Sequence, residues 1–334
     1  MKISCLVAPD VDLYFVGRVL AGVFEQPDAS VRVRIVPWIK KTSVGLEVNH
    51  TRFGIELSDH QTYLDMGLYE WCDIYAKRSL NLEHLPRLSK AVPFAPHCAG
   101  NSKKSISRIL AALAFASPRN FSLRWRSIYR YLAAPHWKDF ELSPAEAISE
   151  TILFQTRLWN PVETPGDGVV NEERINLLLA LKGQFGDRFV GGIVPNAYAK
   201  DNYPELISPH PARQSDYIRW AKSSAIGIYS RGLFGSVAFK MAEFLASSKC
   251  IISEPIDNAL PGPTEYLSVY RSTEEMHCAM RQTPHLSQDC AGRQKGSLGL
   301  LQGIRETGYV YCAFDSDRIL EVQQRGCKEK RMSA

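Results

Sequence analysis

The segment from Ile226 to Glu254, IGIYSRGLFGSVAFKMAEFLASSKCIISE, restricts what this 334-residue chain can fold into more than any other stretch. Ile226, Ile228 and Tyr229 read as a buried strand that ends at Arg231-Gly232. A glycine-containing turn, Gly232 to Ser236, leads into a helix carrying Lys240 and Glu243, and Cys250 to Ser253 reads as a second buried strand. The polar groups of this strand, turn, helix, strand unit gather where the helix starts. Unpaired backbone N–H groups and the positive end of the helix dipole attract an anion at such a start. Glycine lets the backbone approach a phosphate closely. With a helix beginning near Ser236, Lys240 lies one turn in and adds a full charge, and Glu243 follows on the same face. A carboxylate beside a phosphate is useful where it receives hydroxyls, as from a ribose or a sugar. The same spacing also fits an ordinary amphipathic helix with Lys240 and Glu243 as a solvated pair.

The remaining chain alternates strands and helices. Ile3 to Ala8 is a strand, and Leu13, Val16, Val19, Leu20 and Val23 fall at helical spacing. Val31 to Val36 is a second strand, with Gly54 to Leu57 and Ile74 to Ala76 as further short ones. This alternation predicts a parallel sheet with helices on both faces. No G-x-G-x-x-G follows the first strand, which argues against a dinucleotide cofactor there. In the second half, a loop over Trp159 to Val169 precedes a helix, Glu172 to Phe185, with Ile175, Leu178, Leu179 and Leu181 expected inward. A strand from Phe189 to Ile193 and a helix from Ser215 to Lys222 follow, so a second Rossmann-like unit begins near Thr151. A final helix is expected over Ser316 to Gln324. The length suits two domains of about 150 residues each. The boundaries expected are 1–150, 151–314 and a C-terminal helix with a basic tail, 315–334.

No apolar run reaches the roughly 18 to 20 residues of a transmembrane helix. The opening Met1 to Val7, broken by Pro9-Asp10, is too short for a signal peptide, so a cytoplasmic location is expected. The eight cysteines are scattered without a C-x-x-C pair, which suggests buried thiols rather than a zinc or redox site.

Between Glu83 and Asp139 there is no acidic residue, while Arg87, Lys90, Lys103, Lys104, Arg108, Arg119, Arg124, Arg126, Arg130 and Lys138 all fall there. Phe115, Phe121, Trp125, Tyr129, Tyr131 and Trp137 are interleaved. The net charge of +5 is therefore concentrated in the first half. Basic and aromatic residues on helices suit an anionic membrane surface, a polyanion or stacked bases. They equally suit two core helices, Ile109 to Ala116 and Ser127 to Ala134, with solvated basic faces. Among the functional readings, a peripheral membrane contact at the inner face or an anionic acceptor is favoured over nucleic acid.

The run Lys240-Met241-Ala242-Glu243-Phe244-Leu245-Ala246, then Ser248-Lys249 and an apolar strand ending at Ser253-Glu254, resembles the donor-site motif of retaining and related GT-B glycosyltransferases, Lys-x-x-Glu-Tyr-Leu-Ala. Leu260-Pro261-Gly262, Glu265-Tyr266-Leu267 and Ser272 to Glu275 are similar to the segments that close that domain, and Leu153 to Leu158 is similar to its first strand. The resemblance spans roughly Leu153 to Met280. It implies an α/β fold of two Rossmann-like domains facing a cleft, the GT-B architecture, and a UDP- or GDP-linked sugar donor with no separate cofactor. It also implies a glycan or lipid-linked acceptor held by the first domain. Cys250 stands where one large subgroup carries a second acid, which leaves a retaining or inverting outcome open.

Glycosyl transfer needs a stabilised diphosphate leaving group and a positioned acceptor hydroxyl. In a metal-independent site, arginine and lysine with a helix start replace the cation. Arg157, Arg231, Lys240 and the backbone at Gly235-Ser236 are the candidates for the donor diphosphate, and Glu243 is the candidate for the ribose hydroxyls. Arg157 also fits an ordinary salt bridge at a strand end. For the catalytic base, Asp59 and His60 stand at the end of a strand, where a capping role for Asp59 fits as well. His97 is a second candidate, and Lys77-Arg78 can bind an acceptor anion or an interdomain partner. Asp315-Ser316-Asp317 is read as a helix cap, and no metal site is expected. Two rival readings remain: a nucleotide-sugar epimerase, and a non-catalytic binding protein that works through the basic stretch.

Overall fold

The structure, a computed structural model, describes residues 1–260 and 267–269 apart from 95–96, 98–99, 103, 118–120, 143–148, 165–167 and 211–212. The expectations for Pro261-Gly262, Glu265-Tyr266, Ser272 to Glu275, Ser316 to Gln324 and Asp315 to Asp317 lie outside the described residues.

Two sheets form. The first runs β2-β1-β3-β4-β5-β6, from β1 (Lys2–Val7), β2 (Ser30–Ile35), β3 (Ser43–Val48), β4 (Thr51–Glu56), β5 (Ile74–Lys77) and β6 (Ala91–Pro93). It is mixed, which corrects the parallel sheet expected: β3 runs antiparallel to both β1 and β4. The reason is a hairpin. Val48 pairs with Thr51 across Asn49-His50, and both turn residues have positive φ, 48° and 72°. That is the geometry of the tight two-residue connection that matches strand twist. Gly45 and Gly54 face each other in this hairpin. A Cβ on Gly54 would lie 2.8 Å from Leu68 and one on Gly45 3.0 Å from Trp71, so both glycines make room for helix α2 (Met66–Trp71).

Helix α1 (Leu13–Phe24) starts at Asp12, whose carboxylate accepts from the Tyr14 N–H. Leu13, Val16, Val19, Leu20 and Val23 are all buried, as their spacing predicts. With α3 (Ile106–Ala116) and α4 (Phe121–Ala133), this helix covers β1, β3 and β4. The two later helices begin earlier than their apolar residues suggest. Arg124 of α4 points inward rather than into solvent, donating to the carbonyls of Pro9 and Leu113.

The second sheet is parallel throughout, in the order β11-β10-β9-β7-β8. Its strands are β7 (Ser149–Thr156), β8 (Phe189–Ile193), β9 (Ser224–Tyr229), β10 (Cys250–Ser253) and β11 (Leu267–Val269). Helices α5 (Gly168–Phe185), α6 (Ala197–Asn202), α7 (Gln214–Ser223) and α8 (Phe239–Ala246) connect them. Helix α5 turns Asn171, Arg174, Leu177, Leu178 and Leu181 inward and leaves Leu179 52% exposed, so Leu179 is not the core residue its neighbours suggested. Among the described residues, no helix is long and apolar enough to cross a membrane.

Lys77 lies inside β5 and is fully buried, so it does not bind an incoming anion; its ammonium is 2.7 Å from Glu56. Glu56 also accepts from Ser58 and Tyr75, and Lys77 donates to the His60 carbonyl at 2.8 Å. Burial pushes the Lys77 ammonium below its ordinary range and the Glu56 carboxylate pulls it back up. A buried pair of this kind is costly to break on one side, because the surviving charge keeps its desolvation without its partner. Lys77→Ala is therefore expected to lower unfolding free energy in urea by about 3 to 5 kcal/mol. A loss under about 1 kcal/mol, the range of an exposed pair, would show that the network is not closed.

Candidate functional site

In a parallel sheet of this strand order, the crossover connections leave in opposite directions from two neighbouring strands. Ligands settle in the crevice beyond their C-terminal ends. Here those strands are β7 and β9, and the residues at their ends are Arg157 and Ser230-Arg231. Arg174 of α5 fastens the two ends together. Its guanidinium donates to the Arg157 carbonyl at 2.7 Å and to the Arg231 carbonyl at 2.6 Å, from a buried position.

Helix α8 follows β9 and brings Lys240 and Glu243 to the same crevice. The Lys240 ammonium lies 5.6 Å from the Phe154 ring centroid of β7. Burial first, then the Arg174 charge, lowers its pKa to about 7; Glu243 pushes it up and Arg157 pushes it down. Glu243 is shifted the other way, upward by burial, with a hydrogen bond to Tyr217 and the Lys240 charge opposing. Arg157, Arg174 and Lys240 thus form one cationic cluster with Glu243 beside it.

Helix α8 begins at Phe239 and not near Ser236. Ser236 and Ala238 are extended because tertiary hydrogen bonds take the N–H groups that a helix start would leave open. Val237 N–H donates to Ser79 Oγ at 3.2 Å and Ala238 N–H to Tyr229 Oη at 2.9 Å. Lys240 is accordingly the second residue of the helix. The turn at Gly232 to Ser236 closes on itself: Gly232 N–H donates to the Ser236 carbonyl, and Ser236 N–H to the Leu233 carbonyl. Gly235 has φ 70°, its carbonyl accepts from Asn258, and an added Cβ would lie 2.5 Å from Gln61. Its lack of a side chain thus serves contact with the first sheet's loops. Arg231 is half-exposed and ion-paired to Glu173 at 2.8 Å, while its N–H donates to Glu254.

The two sheets meet along the loops beyond their strand ends. Gln61 N–H donates to the Phe234 carbonyl at 3.3 Å, Leu82 N–H to Asp257 at 2.9 Å and Ala259 N–H to Leu80 at 2.7 Å. His60 is exposed and stacks on Phe234, ring centroids 3.9 Å apart and 15° from parallel. Asp59 is ion-paired to Arg78 and does not cap α2, whose first turn is held by Asp65. Arg78 is buried, with its guanidinium carbon 4.9 Å from the Phe239 ring centroid, so it serves a contact between the sheets. Phe239 also touches Tyr14, Phe15 and His97, with centroids 5.7, 5.8 and 5.7 Å away. His97 is buried, and desolvation with the charges of Arg18 and Arg78 holds its pKa well below the ordinary imidazole range.

Of the residues singled out from the sequence, Arg157, Lys240 and Glu243 come together. Arg231 stands at the adjacent strand end, Gly235 and Ser236 lie in the turn against the first sheet, and Asp59 and His60 face that turn from across the boundary. Arg174 and Tyr14 were missed. The hydroxyl of Tyr14 feels the charges of Glu243, Arg130 and Arg157, which places it at the crevice from the first sheet's side. Among the described residues, no group of three or more His, Cys, Asp or Glu side chains is arranged to hold a metal ion.

Fold and site together define an α/β protein with one mixed and one parallel sheet and a cationic crevice at the parallel sheet's switch point. No known family model matches the chain, and no curated protein matches it.

Arg174 and Arg231 should separate in a stability assay. Arg174→Leu removes two buried, charge-assisted hydrogen bonds and is expected to cost about 3 kcal/mol or more in chemical denaturation. Arg231→Ala removes only a half-exposed ion pair and is expected to cost less than about 1 kcal/mol. Equal effects would show that Arg174 does not hold the two strand ends.

Proposed function

We propose that the protein is a metal-independent glycosyltransferase of GT-B architecture. It moves a sugar from a UDP- or GDP-linked donor to a glycan or lipid-linked acceptor. The observation that carries this reading is the clustering of Arg157, Arg174 and Lys240 with Glu243 at the switch-point crevice of the parallel sheet. Departure of a nucleoside diphosphate develops negative charge on its oxygens, and fixed cations in a partly desolvated crevice stabilise that charge most where it grows. Arg157 and Lys240 take the diphosphate, and Arg174 adds its field while holding the strand ends apart at a fixed distance. Glu243 receives the ribose hydroxyls. Its upward-shifted pKa and its place beside Lys240 suit a group that accepts or shares hydrogen bonds with neutral hydroxyls.

The acceptor comes from the first sheet's side, where Tyr14 borders the crevice and His60 lies on the turn that follows β9. His60 is the base in this reading. It is exposed at the boundary, whereas the Asp59 carboxylate is occupied by its ion pair with Arg78. The resemblance of Lys240 to Ala246 to the GT-B donor motif supports the same assignment.

Binding of UDP and GDP to the full chain, followed by titration calorimetry, tests the donor half. Lys240 is charged below its pKa of about 7 and neutral above it. A bound diphosphate favours the charged form, so affinity is expected to be full at pH 6 and about tenfold weaker at pH 8. Lys240→Met should bind weakly with a flat pH profile, and Glu243→Ala should weaken UDP and GDP more than inorganic pyrophosphate. No nucleotide binding at either pH, or unchanged binding in both variants, would overturn the reading.

A further inference from the structure

Helix α4 carries an arrangement that neither the crevice nor the core explains. Its buried side consists of Arg124, Ile128 and Tyr131, packed on α1 and on the loop after β1. Its outer side shows Trp125, Tyr129 and Leu132, spaced by four and then three residues so that they form one stripe, and they are 59%, 66% and 49% exposed. Phe115, near the end of α3, is 94% exposed. Single exposed apolar residues are ordinary on a protein surface, but an aligned stripe that includes Trp and Tyr is not.

The charged side chains on α3 and α4 themselves are all basic. Arg126 and Arg130 flank it on α4, and Lys104, Arg108 and Lys138 are exposed on α3 and the adjoining segments. From residue 84 to residue 138 the chain has no acidic residue. The acidic groups nearest this region belong to neighbouring segments: Asp10 and Asp12 after β1, Glu25 at the end of α1, and Asp139. Asp12 is engaged by Arg130 at 3.5 Å, and Glu25 accepts hydrogen bonds from Ser102 and Ser105. Arg130 also stacks on Tyr14, 4.0 Å from its ring centroid, so one cation of this face reaches the mouth of the crevice.

From these observations we propose that the outer face of α4, with Phe115, docks the protein on an anionic phospholipid surface. Trp125, Tyr129, Leu132 and Phe115 enter the headgroup region, and Arg126 with its neighbouring cations meets the lipid phosphates. Trp and Tyr favour this boundary because each has an apolar body and a polar tip. Basic residues beside them add attraction to anionic lipid. The chemistry separates this partner from the alternatives. A second copy of this chain would bring the same positive face against itself, and single-stranded nucleic acid would stack on the aromatic rings but has no use for Leu132, which a lipid headgroup region buries. The proposal stands independently of the glycosyltransferase reading, since none of its contact residues lies in the cationic cluster.

Flotation of the full chain with vesicles tests it. Vesicles of phosphatidylcholine mixed equally with phosphatidylglycerol are expected to carry the protein, and vesicles of phosphatidylcholine alone are not. The double variant Trp125→Ser with Tyr129→Ser replaces exposed side chains, and circular dichroism melting should show it folded as the parent is. It is expected to lose at least tenfold in the vesicle-bound fraction. Arg126→Gln should weaken binding less and reduce its salt sensitivity. Equal binding to both vesicle types, wild-type flotation of the folded double variant, or no flotation of the parent would overturn the proposal. So would a dimer in sedimentation velocity that dissociates in the double variant.

Discussion

Everything at the crevice depends on one guanidinium. Arg174 joins the carbonyls of Arg157 and Arg231, and so fixes the separation of β7 and β9 where the crossover directions diverge. At this point strand backbones have run out of ladder partners, and their last carbonyls need other donors. An arginine supplies several N–H groups in a rigid plane, whereas a lysine would concentrate its charge at one point. Because Arg174 is buried, its charge is felt by Lys240 with little screening. The residue that joins the two strand ends therefore also adds to what burial does to the lysine beside it, lowering its proton affinity further.

The first sheet solves a similar problem with a different device. Glu56, at the end of β4, draws Lys77, Tyr75 and Ser58 around one carboxylate, and Lys77 extends the network to the backbone of His60. The loop that carries Asp59 and His60 is thus tied from below by a buried ion pair and from the side by Arg78. It meets the second sheet as a firm surface, which is why His60 can lie flat on Phe234 and why the neighbouring glycine must lack a Cβ. Loops set on such scaffolds are where proteins place their chemistry.

Much of this was legible in the residues. The run from Ile226 to Glu254 gave β9, α8 and β10 in order, because apolar strands and a helical stripe announce themselves locally. Arg174 was legible too, though its signal is easily passed over: it lies four and seven residues before Leu178 and Leu181, a charged residue on an apolar stripe. The antiparallel β3 was harder. Asn49-His50 lacks the glycine that marks most tight hairpins, and the burial of β3 on both faces erases the alternation that reveals a strand. The start of α8 was not legible at all, since Ser79 and Tyr229, which hold Val237 and Ala238 extended, are brought there by tertiary contact. The same holds for the inward turn of Arg124, which follows from the carbonyl of Pro9, far away in sequence, and that of Leu113 in the preceding helix.

Phe239 and Lys240 are successive residues of α8 that serve different bodies of the protein. Phe239 is gripped by the rings and the guanidinium of the first sheet's side, while Lys240 looks along β7. A helix turn is stiff, so the backbone positions of the two residues are fixed relative to each other. A rigid rotation of α8 about its axis would therefore displace Phe239 within its aromatic socket and Lys240 beside Phe154 together. The helix thus ties the aromatic socket of the first sheet's side to the cationic crevice of the second through two side chains one peptide bond apart.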